Sequence, residues 1–554
     1  MFALGDLSLT IKGGVQHGLW GGAIVNLGTQ WHHETFLPDI ISCRLPGCFA
    51  MTEMGHGSDV MSVETTITYL PATSEFDVHS PTASATKAYI GNAAEHGRAA
   101  AVFGQLWVDG TCHGVHTIVV PIRDEAGQAM PGVTLGDHGH KGGLLGVDNG
   151  TISFDHVRVP RTHLLNRYGG INEDGVYSSP IANPNARFFT MVGTLVRGRI
   201  CVAAGAVQAT RKALTIATTY GLRRSQFRAP GLGEEILLLD YRAHQRKLLP
   251  NIARAYAYGF SINEIAQQLQ RLHDVDVPEP RQARELETRA AGLKAVLSRW
   301  ANDTIQVCRE ACGGAGYMSD AGITLLRQDT DVFATFEGDN AVLLQLVAKG
   351  MLQDYARTWG EMDTVDLARH MARMVGEGFM ERTAARTVID RLVQTAQRTP
   401  DAELLTDRGW QVSMFEARER HIVEALARRM RRAKGLGDQE AFDVVNACQP
   451  HMLKAGIVHT DRIILEAFIA GIDAVEDPAV KLLLGKLCDL FVLDNLLDDA
   501  TWFLEHNRMP NSRVNQLRQA VNGLCAELRS HAQLLIDGFG IPRAWIHSTL
   551  MGED

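Results

Sequence analysis

The apolar spacing of this chain changes once along its length, and that change limits what it can fold into. From Gly47 to about His163, the runs 63–69, 99–107, 117–122 and 151–159 are rich in β-branched residues and separated by Gly, Asp and Pro. This is the pattern of antiparallel strands joined by short turns. From Asn185 onward the spacing is helical. Leu286, Ala290, Leu293, Leu297 and Trp300 recur at steps of four and three, which places them on one face of a helix. Residues 1 to about 45 read as helical but glycine-broken. Pro278, Glu279 and Pro280 separate the 286–300 helix from the one before it. Beyond Lys349 the chain stays helical, punctuated by Pro400, Gly435, Gly437 and Pro510.

Composition narrows the function classes. The 554 residues leave room for three or four domains with large cores. No uninterrupted apolar run approaches the roughly 20 residues of a membrane helix. The apolar stretch 15–27 contains His17 and several glycines without a basic segment before it, so no signal peptide is expected. Nine cysteines without paired spacing fit reduced thiols, and a cytoplasmic protein is expected, with no membrane partner. A net charge of −9 argues against nucleic-acid binding. The basic run from Arg428 to Lys434 reads as a helix C-terminus capped by Gly435.

Other clusters read as structural. Asp494, Asp498 and Asp499 are expected on a solvated helix face, and Cys308 and Cys312, one turn apart, as packing residues. His32 and His33, and His138 and His140, lack a spaced set of partners and read as loop histidines, so no metal centre is expected. The run from Gly142 to Gly146 lacks the strand-turn-helix context of a dinucleotide fingerprint.

Four segments carry candidate chemistry. Thr335, Phe336, Glu337, Gly338, Asp339 and Asn340 place one carboxylate beside a glycine that leaves room for a flat ligand. About twenty residues earlier stands Cys312, Gly313, Gly314, Ala315, Gly316, Tyr317. Near the N-terminus, an apolar run breaks at Thr52 into Glu53, Met54, Gly55, His56, Gly57; a second strand, Lys87 to Gly91, also ends in glycine. A further motif, Tyr220, Arg224, Gln226 and Phe227, is expected on a helix starting near Asn185. Taken singly, each is equally compatible with an ordinary helix end or strand-to-loop transition.

In this order and spacing the segments resemble the acyl-CoA oxidase branch of the acyl-CoA dehydrogenase superfamily, over roughly residues 7–552. The resemblance implies an α+β, mainly α fold with a central antiparallel, barrel-like β domain between helical domains. The expected division is a remnant N-terminal helical domain at 1–45, a β domain at 46–184, a helical domain with the flavin site and base at 185–352, and a C-terminal helical oxidase domain at 353–554. It further implies FAD as cofactor, Glu337 as the base, and Thr52 and Gly91 at the flavin. The resemblance also implies that Arg224, Gly313 and Gly314 reach FAD from the adjacent subunit of a homodimer. The reaction implied is α-proton removal from an acyl-CoA thioester with hydride transfer to flavin, giving a trans-2-enoyl-CoA, and then reduction of O2 to H2O2. The long helical region after the base favours an oxidase over a dehydrogenase that passes electrons to an electron-transfer flavoprotein. Retention of Glu337, Thr52 and Gly91 argues against a non-catalytic partner subunit. Fewer residues precede Thr52 than is usual in the family, so a shortened N-terminal domain is expected. The C-terminal residues Met551 to Asp554 lack a Ser-Lys-Leu-type peroxisomal address, which points to a bacterial-type cytoplasmic protein.

Overall fold

The computed structural model describes residues 2–552 apart from 194, 230, 232, 275–278, 361–388, 390–391 and 393–403. Pro278 and Pro400, two of the expected helix breaks, lie outside the described residues. The chain divides into two compact units, Met1–Cys201 and Val202–Asp554.

The first unit is built around one long strand. Strands β1 (Gly47–Ala50), β2 (Thr66–Leu70), β3 (Glu75–His79), β4 (Lys87–Gly91), β5 (Ala99–Val108), β6 (Thr111–Pro121), β7 (Val133–Asp137), β8 (Asn149–Phe154) and β9 (Val157–Pro160) follow in order. Along one edge of β5, β1 pairs with 99–102 and β2 with 105–107, while β6 fills the other edge. The two short strands part at Gly104, where a Cβ would lie 2.7 Å from the Thr65 carbonyl oxygen. Both β1 and β2 run parallel to β5, so the sheet is mixed rather than antiparallel as expected. β4, β8 and β7 form a separate antiparallel sheet. The expected strand over 151–159 is two, β8 and β9, divided at Asp155 and His156, the latter left-handed at φ 52.

β5 is apolar on both faces because both are covered. Ala100, Val102 and Leu106 enter a core with Ile67, Phe76, Val78 and Phe154. Ala99, Ala101 and Phe103 face Trp20, Ile24, Leu27 and Ile40 of the N-terminal helices. Those helices are less broken than their glycines suggest. Leu7–Gly13, the π-helical Gly14–Trp20 and Gly21–Leu27 run on without interruption, and the chain turns out of the helix only at Gly28, ψ 170.

The second unit is helical, with long helices at Arg242–His273, Pro280–Ala311, Asn340–Gly360, Arg408–Met430, Asp438–Asp473, Pro478–Asp498 and Asn511–Arg529. The predicted stripe holds: Leu286, Ala290, Leu293, Leu297 and Trp300 are all buried. Cys308 and Cys312 are buried packing residues, and all nine cysteines are free thiols. The helix Arg408–Met430 ends within the basic run, with Gly435 left-handed at φ 82. The stretch Pro184–Gly221 is long and apolar enough to cross a membrane, yet Ala203, Ala206, Val207, Leu214 and Ile216 are buried, as in the core helix of a globular unit.

The aspartate cluster departs from expectation. Asp494 is buried and meets Arg246 at 3.1 Å and Arg254 at 2.9 Å. Asp498 meets Arg254 at 2.6 Å, and Asp499 meets Arg418 and Lys454, each at 2.6 Å. All three are paired with cations from other helices; for buried Asp494 and half-buried Asp499 burial requires this of charge, whereas Asp498 is exposed, as expected. His32 is likewise no loop histidine. It is buried in the helix Gln30–Ile41, where its Nδ1 accepts from the Thr29 amide and its Nε2 lies 3.0 Å from the Leu164 carbonyl oxygen.

Candidate active site

In the first unit, the loop after β1 is anchored from beneath. Lys87 and Glu53 are fully buried and 2.9 Å apart. Lys87 Nζ also donates to the carbonyls of Met51 at 3.1 Å and Phe103 at 2.6 Å. Glu53 accepts from the amides of Glu64 and Thr65 and from Thr65 Oγ1 at 2.6 Å. Burial pushes the Lys87 ammonium down to about 8, against the opposing pull of Glu53. Thr52 lies in the chain between Met51 and Glu53, both of which Lys87 contacts. Its backbone carbonyl accepts from the Ala88 amide at 3.0 Å, and its half-buried hydroxyl has no hydrogen-bond partner among the described residues. At Gly91 a Cβ would lie 2.9 Å from Val15 Cγ2, so close approach of a helix to β4 is sufficient reason for glycine there.

Ligand-type atoms of Glu53, His56 and Glu64 lie within 4.8 Å of one another, as do those of His79, Asp155 and His156. In the first group both Glu53 oxygens already serve Lys87, Glu64 and Thr65.

In the second unit, Glu337 occupies a short turn between the helical segment ending at Ala334 and the helix Asn340–Gly360. It is half-buried and left-handed at φ 57, and Gly338 follows at φ 101. A side chain at Gly338 would be strained at that φ and would meet Leu343 Cδ2 at 2.9 Å. Phe336 stacks on buried Phe333 with centroids 5.2 Å apart. From the helix Pro280–Ala311, Lys294 Nζ donates to the Gly338 carbonyl oxygen at 2.6 Å and to Asn340 Oδ1 at 3.1 Å.

Gly313 and Gly314 cap the far end of that same helix, nineteen residues past Lys294, or about 28 Å at 1.5 Å per residue. Gly313 is left-handed at φ 58, both glycines are exposed, and no atom lies within 4 Å of a Cβ built on either. Arg224 follows the helix Leu195–Gly221 instead of lying on it as expected, and Gln226 and Phe227 enter the strand Ser225–Arg228. Its exposed guanidinium has no acidic partner among the described residues. The C-terminal segment joins these two regions: a Cβ at Gly552 would overlap the Arg223 guanidinium, and one at Gly322 would lie 2.8 Å from the His547 carbonyl oxygen. Within the unit, then, Arg224 and the Gly313–Gly314 pair gather at one end and Glu337 stands at the level of Lys294.

These groups suit a flavin dinucleotide. Thr52 offers an unused hydroxyl, Arg224 an unpaired cation for an anionic pyrophosphate, and Gly313 and Gly314 an open backbone that a ligand can approach. Sequence reading missed Lys294 and its relay through Asn340 and Ser298. The available signal was a lysine inside an apolar stripe, four residues after Ala290 and three before Leu297.

Known proteins resemble this chain over nearly its whole length. Residues 192–352 match the family described as "Acyl-CoA oxidase, C-alpha1 domain" and residues 409–554 that described as "Acyl-CoA oxidase". Peroxisomal acyl-coenzyme A oxidase 3 of Arabidopsis thaliana is 36% identical over 544 residues, 98% of this chain and 77% of that protein. Among solved structures, acyl-CoA oxidase 1 of Yarrowia lipolytica superposes with a TM-score of 0.86 at 28% identity, covering 99% of this chain and 79% of its own. Acyl-CoA oxidase-1 of Caenorhabditis elegans, complexed with FAD and ATP, gives 0.85 at 26%, covering 97% and 77%. The plant relative is named a peroxisomal enzyme, which overturns the expectation of a cytoplasmic protein. An argument from four C-terminal residues weighs less than similarity over 544. The expectation of a bacterial type finds no support among these plant, yeast and nematode proteins.

Proposed function

The chain belongs to the acyl-CoA oxidase family, and on that premise we propose that it is an FAD-dependent oxidase of acyl-CoA thioesters in which Glu337 is the base. The observation that carries the assignment is the backbone at Glu337. A half-buried, left-handed glutamate beside a glycine at φ 101 is a costly arrangement, and such positions concentrate at functional sites.

The α-proton of a thioester is weakly acidic. Its removal needs a carboxylate within hydrogen-bond reach and donors for the charge that develops on the carbonyl oxygen. Glu337 fills the first role, and its own backbone amide is assigned to the thioester oxygen. When bound, FAD supplies the two-electron acceptor, from which oxygen takes the electrons as hydrogen peroxide. Thr52, through its hydroxyl, and Gly91, at the end of β4, would hold the ring system. Arg224, Gly313 and Gly314 hold the anionic part of the cofactor for a second copy of the chain. The separation of about 28 Å between the level of Lys294 and the Gly313–Gly314 cap supports this division of labour, and with it a homodimer. The product is a trans-2-enoyl-CoA, the location peroxisomal, and the four-part division at 45, 184 and 352 belongs to the same reading.

Glu337→Gln is the test. The variant retains bound FAD, and anaerobic bleaching of the flavin by acyl-CoA slows by about 10²–10⁴-fold; wild-type bleaching would remove Glu337 from the mechanism. Readmitting air to the bleached wild-type protein returns the yellow colour with peroxide release. Persistent bleaching would instead mark a dehydrogenase that needs an electron-transfer flavoprotein.

A further inference from the structure

We propose that Lys294 is a positioning residue for the reaction, holding the Glu337 turn in its reactive geometry through Gly338 and Asn340. The inference rests on the assignment of Glu337 as the base. Lysine is almost never fully buried without a specific partner, and Lys294 is 0% exposed in the middle of the helix Pro280–Ala311. Its Nζ donates 2.6 Å to the Gly338 carbonyl and 3.1 Å to Asn340 Oδ1. Asn340 then completes a relay: its Nδ2 donates to Ser298 Oγ at 3.0 Å and to the Ala295 carbonyl at 3.1 Å. One helix thus grips Gly338 and Asn340, on either side of Asp339 where the next helix begins, using a lysine and a serine one turn apart.

The grip matters because of what it restrains. Glu337 at φ 57 is in a region that sterics penalise for any residue with a Cβ. Left to itself, the turn would relax toward a more populated backbone conformation, and the carboxylate would swing with it. The neighbouring Leu343 is 2.9 Å from a Cβ built at Gly338 and closes off the opposite side. Lys294 therefore has no need to touch substrate. By fixing the peptide that follows Glu337, it sets where the carboxylate stands relative to the α-carbon, and displacement of a reacting group by about 1 Å can cost around 100-fold in rate.

The experiment uses the FAD-loaded protein. Lys294→Met keeps the length and apolar stem of the side chain but removes its donors. The rate of anaerobic flavin reduction is followed as a function of acyl-CoA concentration, separating the saturating rate from substrate affinity, with FAD content measured on the same samples. The expected result is a saturating rate reduced about 100-fold, with FAD content and half-saturating concentration within about 3-fold of wild type. Placed in the Glu337→Gln background, Lys294→Met causes no further fall, because the group it positions is already gone. A wild-type saturating rate in Lys294→Met overturns the proposal. So does a loss that merely follows missing FAD, or a full further loss in the Glu337→Gln background. Should Lys294→Met fail to fold, Asn340→Ala cuts the same relay and decides by the same readouts. Rapid reduction by Glu337→Gln alone would instead overturn the assignment of the base, and is read separately.

Discussion

Lys87 and Lys294 are each 0% exposed, one in each unit, and they meet the demands of burial in different ways. Lys87 sits against a buried carboxylate, Glu53, which takes three further hydrogen bonds from Glu64 and Thr65, just before β2. Lys294 gives its protons to a backbone carbonyl and a side-chain amide on a turn. A buried pair of opposite charges is costly to break from one side, because the partner is then left charged in a low dielectric. A lysine that fastens a turn acts mainly on where that turn stands. Lys87 thus serves the stability of the β unit, in contrast to Lys294, proposed above to position the Glu337 turn.

The sharpest way to break this comparison is to remove each ammonium in turn. Lys87→Met strands Glu53 and costs about 3–5 kcal/mol, read as a fall in the midpoint of urea unfolding with loss of bound FAD. Adding Glu53→Gln, which removes the stranded charge, recovers more than half of that loss. Lys294→Met costs less than Lys87→Met on the same assay. Equal losses at the two sites would end the distinction between a structural and a positioning lysine.

Acid separates the units by a second route. In the first, burial lowers His116 to about 4 from its usual 6.5, and its ring sits 3.0 Å from the Tyr177 hydroxyl. A histidine with a depressed folded value is neutral in both states above pH 6.5. As pH falls from 6.5 toward 4 the unfolded chain gains the proton first, and stability is lost by up to about 3 kcal/mol. In the second unit the buried Glu419, held by Arg462 and His459, is pulled down to about 2. Its contribution persists above 4.5 and fades only as pH drops toward 2. The urea midpoint therefore moves down between pH 6.5 and 5 in wild type. In His116→Gln the decline is shallower but not abolished, because burial also lowers His32, His113 and His163 of the same unit; an identical decline in both proteins would remove His116 as a cause.

What the sequence reveals of this architecture follows from how local each signal is. The stripe from Leu286 to Trp300 and the strand β5 are legible because a single element repeats its own pattern. The parallel pairing of β1 and β2 on one edge of β5 is not, since it depends on Gly104 admitting the Thr65 carbonyl, a contact between segments forty residues apart. For the same reason the carboxylates at 494 and 499 looked solvated: Arg246, Arg254 and Arg418, which pair with them, come from distant helices. Glu337 was visible through its neighbours in sequence. Lys294, forty-three residues earlier, becomes visible only when the turn is folded against its helix.

The smallest expected effect tests the comparison at the level of one hydroxyl in the first unit. Thr52 and Thr65 are thirteen residues apart, and both stand beside Glu53 in chain or space. Thr65 Oγ1 is spent on Glu53 at 2.6 Å, whereas Thr52 Oγ1 has no hydrogen-bond partner among the described residues. Valine at either position keeps the shape and removes the hydroxyl. Thr65→Val takes a donor from a buried carboxylate and lowers the urea midpoint, by about 1.5–3 kcal/mol for a bond to charge. Thr52→Val removes nothing that the protein itself uses, so the midpoint of the FAD-free protein stays put. What changes is binding: one neutral hydrogen bond to the ring is worth about 1 kcal/mol, or roughly a 5-fold weaker dissociation constant for FAD by titration of the apoprotein. An unchanged FAD affinity in Thr52→Val, with Thr65→Val behaving as stated, would leave the anchoring pair intact and take Thr52 out of the cofactor site.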